Sequence, residues 1–316
     1  TSVQTCDVRL GDWESTLEAY KQVLAETPSL RAYHQFSFME PAGFQAFLDK
    51  GYRMGVGNDF NRIGPLKLFV DGSLGARTAY MRQPYADDPS TRGIATLTPQ
   101  EIDTLVDMAV KNHCGVAVHA IGDAAIENVL NAYDKVCENG ENPLRLGIIH
   151  VQITDRPLLE RFTKNDILAL VQPIFLHYDT AIVEDRVGKD LAATSYAFKT
   201  LMDLGVHTSY GTDSPVEDMN PIDNIYCAVT RKNLRGEPAG GWQPEECVDI
   251  YSAIDAYTIE SAYASFDEKV KGRLMKGYFA DLVVLSDNIF TVNPDDIRTV
   301  KVDATMVNGQ FVYQRA

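Results

Sequence analysis

Apolar runs of strand length recur along the chain, and several end in a residue able to do chemistry. Val116-Ala117-Val118 runs into His119, and Gly122 then turns into a helical pattern that opens at Asp123. Leu146 to Ile149 leads to His150, and Ile167 to Val171 leads to Gln172. Val206 to Tyr210 continues through Gly211-Thr212 to Asp213, and upstream Leu66 to Asp71 carries Lys67 inside an apolar stretch. A strand that delivers a polar side chain at its C-terminal end and passes into an amphipathic helix is the repeating unit of a (β/α) barrel. Barrel active sites lie at that end of the strands. One such unit takes about 30 residues. His119 and His150 are 31 residues apart, His150 and Asp213 63, and Lys67 and His119 52. The spacing therefore predicts that these four residues share one rim.

The intervening pattern supplies the other elements. Residues 12–26 carry an apolar stripe of Leu17, Tyr20, Val23 and Leu24 and predict a helix stopped by Pro28. Residues 30–38 alternate like a strand, and 41–50 predict a helix with proline in its first turn. Thr98-Pro99-Gln100-Glu101 is a capping box that opens a helix over 98–113. Further helices are predicted over 123 to about 138, 155–163, 193–204, 220–232 and 247–265. The segment 72–97 is rich in Gly, Pro and Asp. It far exceeds the usual connection of about 4–6 residues, so it reads as a loop covering the rim and shaping a substrate pocket. A second rim loop carries His177 and Asp179. Near the end, 280–285 and 300–307 are short strands, with Asn308-Gly309 as a turn into 311–313. Six barrel-type strands are legible, where closure needs eight. The shortfall falls at the start, where residues 1–5 read as the end of a strand. The expected fold is an α/β barrel over 1–266 lacking its first strand or strands, and a small C-terminal β-sandwich segment over 267–316.

Composition narrows the choice. The 316 residues suit one large domain or a barrel with an annex, and the net charge of −15 disfavours nucleic acid or an anionic membrane as partner. No apolar run reaches the roughly 18 residues of a membrane span. Cys6, Cys114, Cys137, Cys227 and Cys247 are scattered without CxxC spacing. They read as reduced thiols of a cytoplasmic protein.

His119, His150 and Asp213 are ligand types suited to Zn, Fe or Mn. A lone histidine at a strand end is more often a hydrogen-bonded structural residue. Two of them one unit apart, with Asp213 after a Gly-Thr turn, favour a metal. Lys67 within a buried strand is costly unless paired. Asp71, four residues on, is one candidate partner, and carbamylation of Lys67 between two metals is the alternative. His34, His113 and His207 read as structural. His177 beside Asp179 is placed to contact substrate, and Arg77, Tyr80 and Tyr85 lie on the long loop.

Taken together, Lys67-Leu68-Phe69-Val70-Asp71-Gly72-Ser73-Leu74-Gly75 with Arg77-Thr78-Ala79, His119-Ala120-Ile121-Gly122-Asp123, Ile149-His150, Gln172-Pro173 and Gly211-Thr212-Asp213-Ser214-Pro215 resemble the YtcJ-like branch of the amidohydrolase superfamily. That branch includes N-substituted formamide deformylases and proteins labelled exoenzyme regulatory protein. The run Gly272-Arg273-Leu274 to Gly277, then 280–285 and Val307-Asn308-Gly309, resembles its C-terminal β-sandwich half. The resemblance implies a metal-dependent-hydrolase barrel with one or two divalent metals, zinc foremost. Lys67 would be the carboxylated bridging ligand, and His119 and His150 would hold the second metal. Asp213 would be the general base that also touches the first metal. Arg77, His177 and Asp123 are the candidate substrate contacts.

The implied reaction is hydrolysis of a non-peptide carbon–nitrogen bond of a small amide or formamide by metal-activated water. The alternative is a non-catalytic regulatory or binding protein that retains the fold. The chain departs from the superfamily in having no His-x-His pair, which there sits on the first barrel strand. The expectation is therefore the C-terminal part of a longer enzyme, inactive alone, with its metal sites empty or partly filled. Exposed sheet edges would invite homo-oligomers.

Overall fold

The alternation of strands and helices is realised as seven parallel strands paired in chain order. The computed structural model describes residues 1–9, 11–137 and 139–316. The strands are β1 (Ser2–Arg9), β2 (Arg31–Ser37), β3 (Asn61–Phe69), β4 (Val116–Ala120), β5 (Gly147–His150), β6 (Leu168–Val171) and β7 (Thr208–Tyr210). Sequence patterning predicts six barrel strands; the seventh is β1, which runs on to Arg9 and pairs with β2 up to Ser37. The expected strand end at residue 5 falls short because the β1–β2 register shifts between Thr5 and Val8. A bulge there breaks the two-residue alternation that a sequence reading relies on. The sheet curls. Cys6 on β1 and Asp213 just beyond β7 interact electrostatically, although their strands are the two outer ones of the sheet order.

Period-two alternation sorts the strand side chains. Phe36 and Phe38 of β2 pack outward among Phe44 and Phe47, with Phe36 and Phe47 stacked at 4.7 Å and Trp13 edge-on to Phe47 at 5.1 Å. On β3, Leu66 and Leu68 are fully buried in this same core, which turns Lys67 to the lumen. The covering helices are α1 (Trp13–Glu26), α2 (Pro41–Asp49), α3 (Pro99–Lys111), α4 (Asp123–Val136) and α5 (Arg156–Lys164). Then come α6 (Leu176–Asp179), α7 (Val183–Val187), α8 (Lys189–Ala192), α9 (Phe198–Asp203), α10 (Pro221–Thr230), α11 (Ile250–Tyr257) and α12 (Ile259–Ala264). The capping box on α3 is present in full: Thr98 accepts from Glu101 N and Glu101 reaches back to Thr98 N. The helix expected to about 138 ends at Val136, and Glu138 lies outside the described residues.

Three expectations need correction. The stretch with His177 and Asp179 is no loop but a 3-10 turn over Pro173–Phe175 followed by α6. The helix expected over 193–204 shrinks to α9, because Tyr196 takes a left-handed φ of 53° and donates its N–H to Gln152 O. The helix expected over 247–265 starts only at Ile250, where Asp249 caps the N–H groups of Tyr251 and Ser252, and it breaks at Thr258.

Beyond α12 the chain forms a three-stranded antiparallel sheet of β8 (Leu282–Leu285), β9 (Val302–Val307) and β10 (Gln310–Gln314). Arg31 of β2 ties it to the barrel. Its Nε and Nη2 donate to the Asp281 carboxylate at 2.7 and 3.0 Å. The guanidinium stands 4.5 Å from the Phe60 ring and 3.8 Å from the Phe279 ring. The two side chains are 4% and 5% exposed, so water cannot replace a lost partner. Asp281→Ala is expected to destabilise the chain by about 3–5 kcal/mol, because it strands a buried cation. Replacing both partners by apolar residues should cost far less. Urea midpoints of the single and double variants check this, and equal losses would refute it.

Candidate active site

Lys67, His119 and His150 enter the lumen from three adjacent strands. Register pairs Phe69 with His119 and Ala120 with His150, so the two histidines sit at neighbouring heights. Their rings meet edge to face at 4.5 Å, and His150 stacks on Phe175 at 5.7 Å. Lys67 is 4% exposed and makes no hydrogen bond or ion pair among the described residues. Its ammonium lies 4.8 Å from the Phe69 ring. Burial depresses the Lys67 amine to about 8, with Cys6 and Asp213 pulling upward. Burial likewise holds the His150 imidazole well below its ordinary value, helped by His119 and Lys67. His150 is therefore a neutral ring, and its buried Nδ1 has no hydrogen-bond partner.

The expected Lys67–Asp71 pair does not form. Asp71 turns instead to backbone donors, accepting from Tyr80 N at 2.9 Å, Gly122 N at 2.8 Å and Ile121 N at 3.1 Å. It also lies 3.2 Å from His119 Nε2. That Nε2 donates to Gly72 O at 2.9 Å; a carbonyl only accepts, so the ring proton is on Nε2 and Nδ1 keeps its lone pair. One carboxylate thus clasps the 72–97 loop to the β4–α4 turn, and the Gly72 carbonyl beside it orients His119. Gly122 is required for this approach, since a Cβ there would lie 2.1 Å from Tyr80 O.

The long loop stays on the C-terminal side of the strands, where Thr96 N donates to Val70 O and Arg82 N to Asp123 Oδ1. Arg82 also reaches Glu127 and Asp155. Asp123, a candidate substrate contact, is buried and spends its Oδ1 on Arg82 N and Ala124 N. Arg77 forks onto Asp87 at 3.0 and 2.8 Å, and Arg186 joins the same carboxylate. Tyr85 is buried and donates to Ala79 O, and Tyr80 accepts from Arg92.

Asp213 arrives from β7 across the mouth, exposed and with a left-handed φ of 58°. Enough protein surrounds its carboxyl to push it up from the usual carboxylate value, against Lys67 and His119. His150 also has a positive φ, 82°. Such backbone costs about 1–3 kcal/mol in a non-glycine residue and gathers at functional sites. Next to Asp213 opens a cleft of about 560 Å³, lined by the loop Ser214 to Met219 together with His177, Tyr178 and Leu234. His177 Nδ1 accepts from Leu234 N at 3.2 Å, so its proton is on Nε2. Asp179, beside it on α6, accepts from Tyr196 Oη and is pushed by burial to about 6.

Cys6 joins the lumen residues, although the register shift between Thr5 and Val8 hides it from the strand pattern. Thr5 bonds His34 and Asp7 accepts from Tyr20 of α1, both on the helix side of the sheet. The residue between them takes the lumen side, near Lys67 and Asp213. His34 is fully buried between Thr5 and Asn61, and His207 pairs with Glu260, both as structural residues. His113 follows α3 with a left-handed φ.

The donors suit a divalent metal in kind: two imidazole Nδ1 lone pairs, one orphaned by burial, beside an unpaired buried amine. They are fewer than a closed set. Among the described residues, no three His, Cys, Asp or Glu side chains converge as a ready-made metal centre. Among them also, no helix is long and apolar enough to cross a membrane.

A curled parallel sheet flanked by helices is the architecture of metal-dependent hydrolases, and the chain belongs to the amidohydrolase family, whose sequence pattern matches residues 1–313. It is 39% identical over 255 residues to YtcJ of Bacillus subtilis (strain 168), covering 80% of this chain and 48% of that one. It is 25% identical over 255 residues to the N-substituted formamide deformylase of Arthrobacter pascens, covering 80% and 46%. The crystal structure of an uncharacterized metal-dependent hydrolase from Pyrococcus horikoshii OT3 superposes with a TM-score of 0.81 at 28% identity, over 93% of this chain and 57% of that one. The chain spans about half the length of the curated relatives it matches.

Asp71→Ala leaves buried N–H groups without an acceptor, at about 1–3 kcal/mol for each that water cannot reach. The expected outcome is a lower melting temperature and faster proteolytic cleavage within 72–97 than elsewhere. Unchanged cleavage would mean that the clasp does not hold the loop.

Proposed function

We propose that this chain supplies most of the site of a metal-dependent hydrolase acting on a non-peptide carbon–nitrogen bond of amide or formamide type. The observation that supports this best is the direct contact of the His119 and His150 rings in a lumen that Lys67 also enters, with Asp213 facing it from beyond β7. His119 and His150 would hold the metal through their free Nδ1 atoms, and Lys67 would join them as a carbamate, formed when its unpaired, partly neutral amine adds carbon dioxide and releases a proton to water. When bound, a divalent metal, zinc foremost by the family resemblance, acidifies water and polarises the substrate carbonyl. Asp213 takes a proton from the attacking water and later passes it to the leaving amine. Its upward shift brings it nearer the operating pH, where a proton carrier works best. The loop clasped by Asp71 limits water entry. Of the candidate substrate contacts, His177 lines the cleft, while Arg77 and Asp123 brace the covering loop.

The same reading takes 1–266 as the barrel unit and 267–316 as part of a small β-domain. Among the described residues the outer strands β1 and β7 have no further partner in the sheet, and they are where a second copy would associate. Five free cysteines fit a reducing, cytoplasmic setting.

The lack of three convergent ligands favours a second reading, a binding or regulatory protein on the same fold. Metal analysis and a panel of N-formyl and N-acyl amines separate the two. The chain by itself is expected to hold metal poorly and not to catalyse. In an active, metal-loaded form, Asp213→Asn should lower turnover by about 10²–10⁴-fold while metal content stays near that of the parent. Full activity in that variant sinks the assignment. Ligand binding without turnover across the panel supports the second reading.

A further inference from the structure

The cleft beside Asp213 has a chemical character of its own. Its volume of about 560 Å³ falls within the range of small-molecule sites, about 300–1,000 Å³. Pro215, Val216, Met219, Tyr178 and Leu234 give it apolar walls. Val216, Met219 and Tyr178 are 68%, 77% and 63% exposed, a clustered apolar surface of the sort that marks a binding groove rather than a solvated turn. The charged lining residues are Glu217 and Asp218, and no Lys or Arg contributes to it. The nearby cations are already engaged: Arg235 pairs with Glu237 and Arg298 with Asp223. Glu217 has no ion pair among the described residues. Burial and then Asp179 push its carboxyl upward, so a second acid stands close behind it. His177 is neutral, held down by burial and then by Arg235 and Arg298.

We infer that this cleft binds the nitrogen-side substituent of the substrate and selects an apolar stem that ends in a cation, as in a mono-acylated alkyl diamine. The stem lies against Val216, Met219 and Tyr178, and the cation meets Glu217 and Asp218. An anionic end would face two carboxylates with no counter-charge in the lining. The inference rests on the hydrolase reading for where the scissile bond sits. The charge preference itself is a binding property and can be measured without turnover.

The test uses three ligands with one six-carbon stem: N-acetyl-1,6-diaminohexane, N-hexylacetamide and 6-acetamidohexanoate. Their affinities for the chain are measured by calorimetry at low and high salt. The expected order is cation, neutral, anion. The cation-to-anion ratio should be about tenfold at low salt and should shrink as salt screens the carboxylates. Glu217→Gln should reduce that ratio about threefold, the scale of one partly exposed ion pair. Val216→Ser should weaken all three ligands together, with the order kept. Equal affinities, a preference for the anion, no binding at all, or a ratio indifferent to Glu217→Gln would each overturn the inference. Charge-selective binding with no hydrolysis by any metal-loaded form would leave the cleft standing and remove the hydrolase reading. Hydrolysis without charge preference would do the reverse.

Discussion

The site depends on one carboxylate. Asp71 sits 4% exposed just beyond β3 and receives backbone N–H groups from two segments, the long loop and the β4–α4 turn. A buried carboxylate is tolerated when hydrogen bonds replace its hydration. Here the replacement donors come from the long loop and the β4–α4 turn, so solvating the charge and assembling the rim are one event. The His119 ring is oriented in the same step, because its Nε2 proton is directed at Gly72 O and leaves Nδ1 free. In metal proteins the partner of the outer nitrogen commonly sets which nitrogen faces the ion. Here that partner is Gly72 O, while Asp71 spends its oxygens on backbone donors and leaves the buried Lys67 amine unpaired among the described residues.

Much of this was legible in the sequence. An apolar run ending in a polar residue, repeated at unit spacing, places His119, His150 and Asp213 correctly at strand ends, because lumen geometry is set by the two-residue period. The role of Asp71 was not legible. Its position four residues beyond Lys67 suggests a pair, whereas the competing donors are backbone groups that carry no signature in sequence. Helix limits failed for similar reasons. Tyr196 and Thr258 are ordinary helix residues by type, and tertiary bonding, such as Tyr196 N to Gln152 O, interrupts the helix there. The α6 stretch reads as loop because four residues are too few to show a period. The β1 bulge hid both a seventh strand and the lumen-facing Cys6.

Two site residues, His150 and Asp213, have left-handed backbone although neither is glycine. His150 closes β5, whose Ile148 and Ile149 are buried, whereas Asp213 stands three residues beyond Tyr210 of β7 and is exposed. The packed strand over-determines the position of His150, which is the condition under which such strain persists. The rim is thus fixed where it presents the imidazole, while the cleft beyond Asp213 exposes Val216, Met219 and Tyr178.

Every strand of the barrel pairs with the strand next to it in the chain, so the sheet can assemble one unit at a time from short loop closures. The Arg31–Asp281 pair is of another kind, joining residues 250 positions apart. It can form only after both its partners have been brought together by structure built in between, and its closure entropy is among the largest in the molecule, though it grows only slowly with loop length. In the order of events it belongs to the end of folding. Its anchor on the barrel side is β2, the immediate neighbour of the strand that carries Lys67. The small sheet is thereby joined to the lumen through one intervening strand.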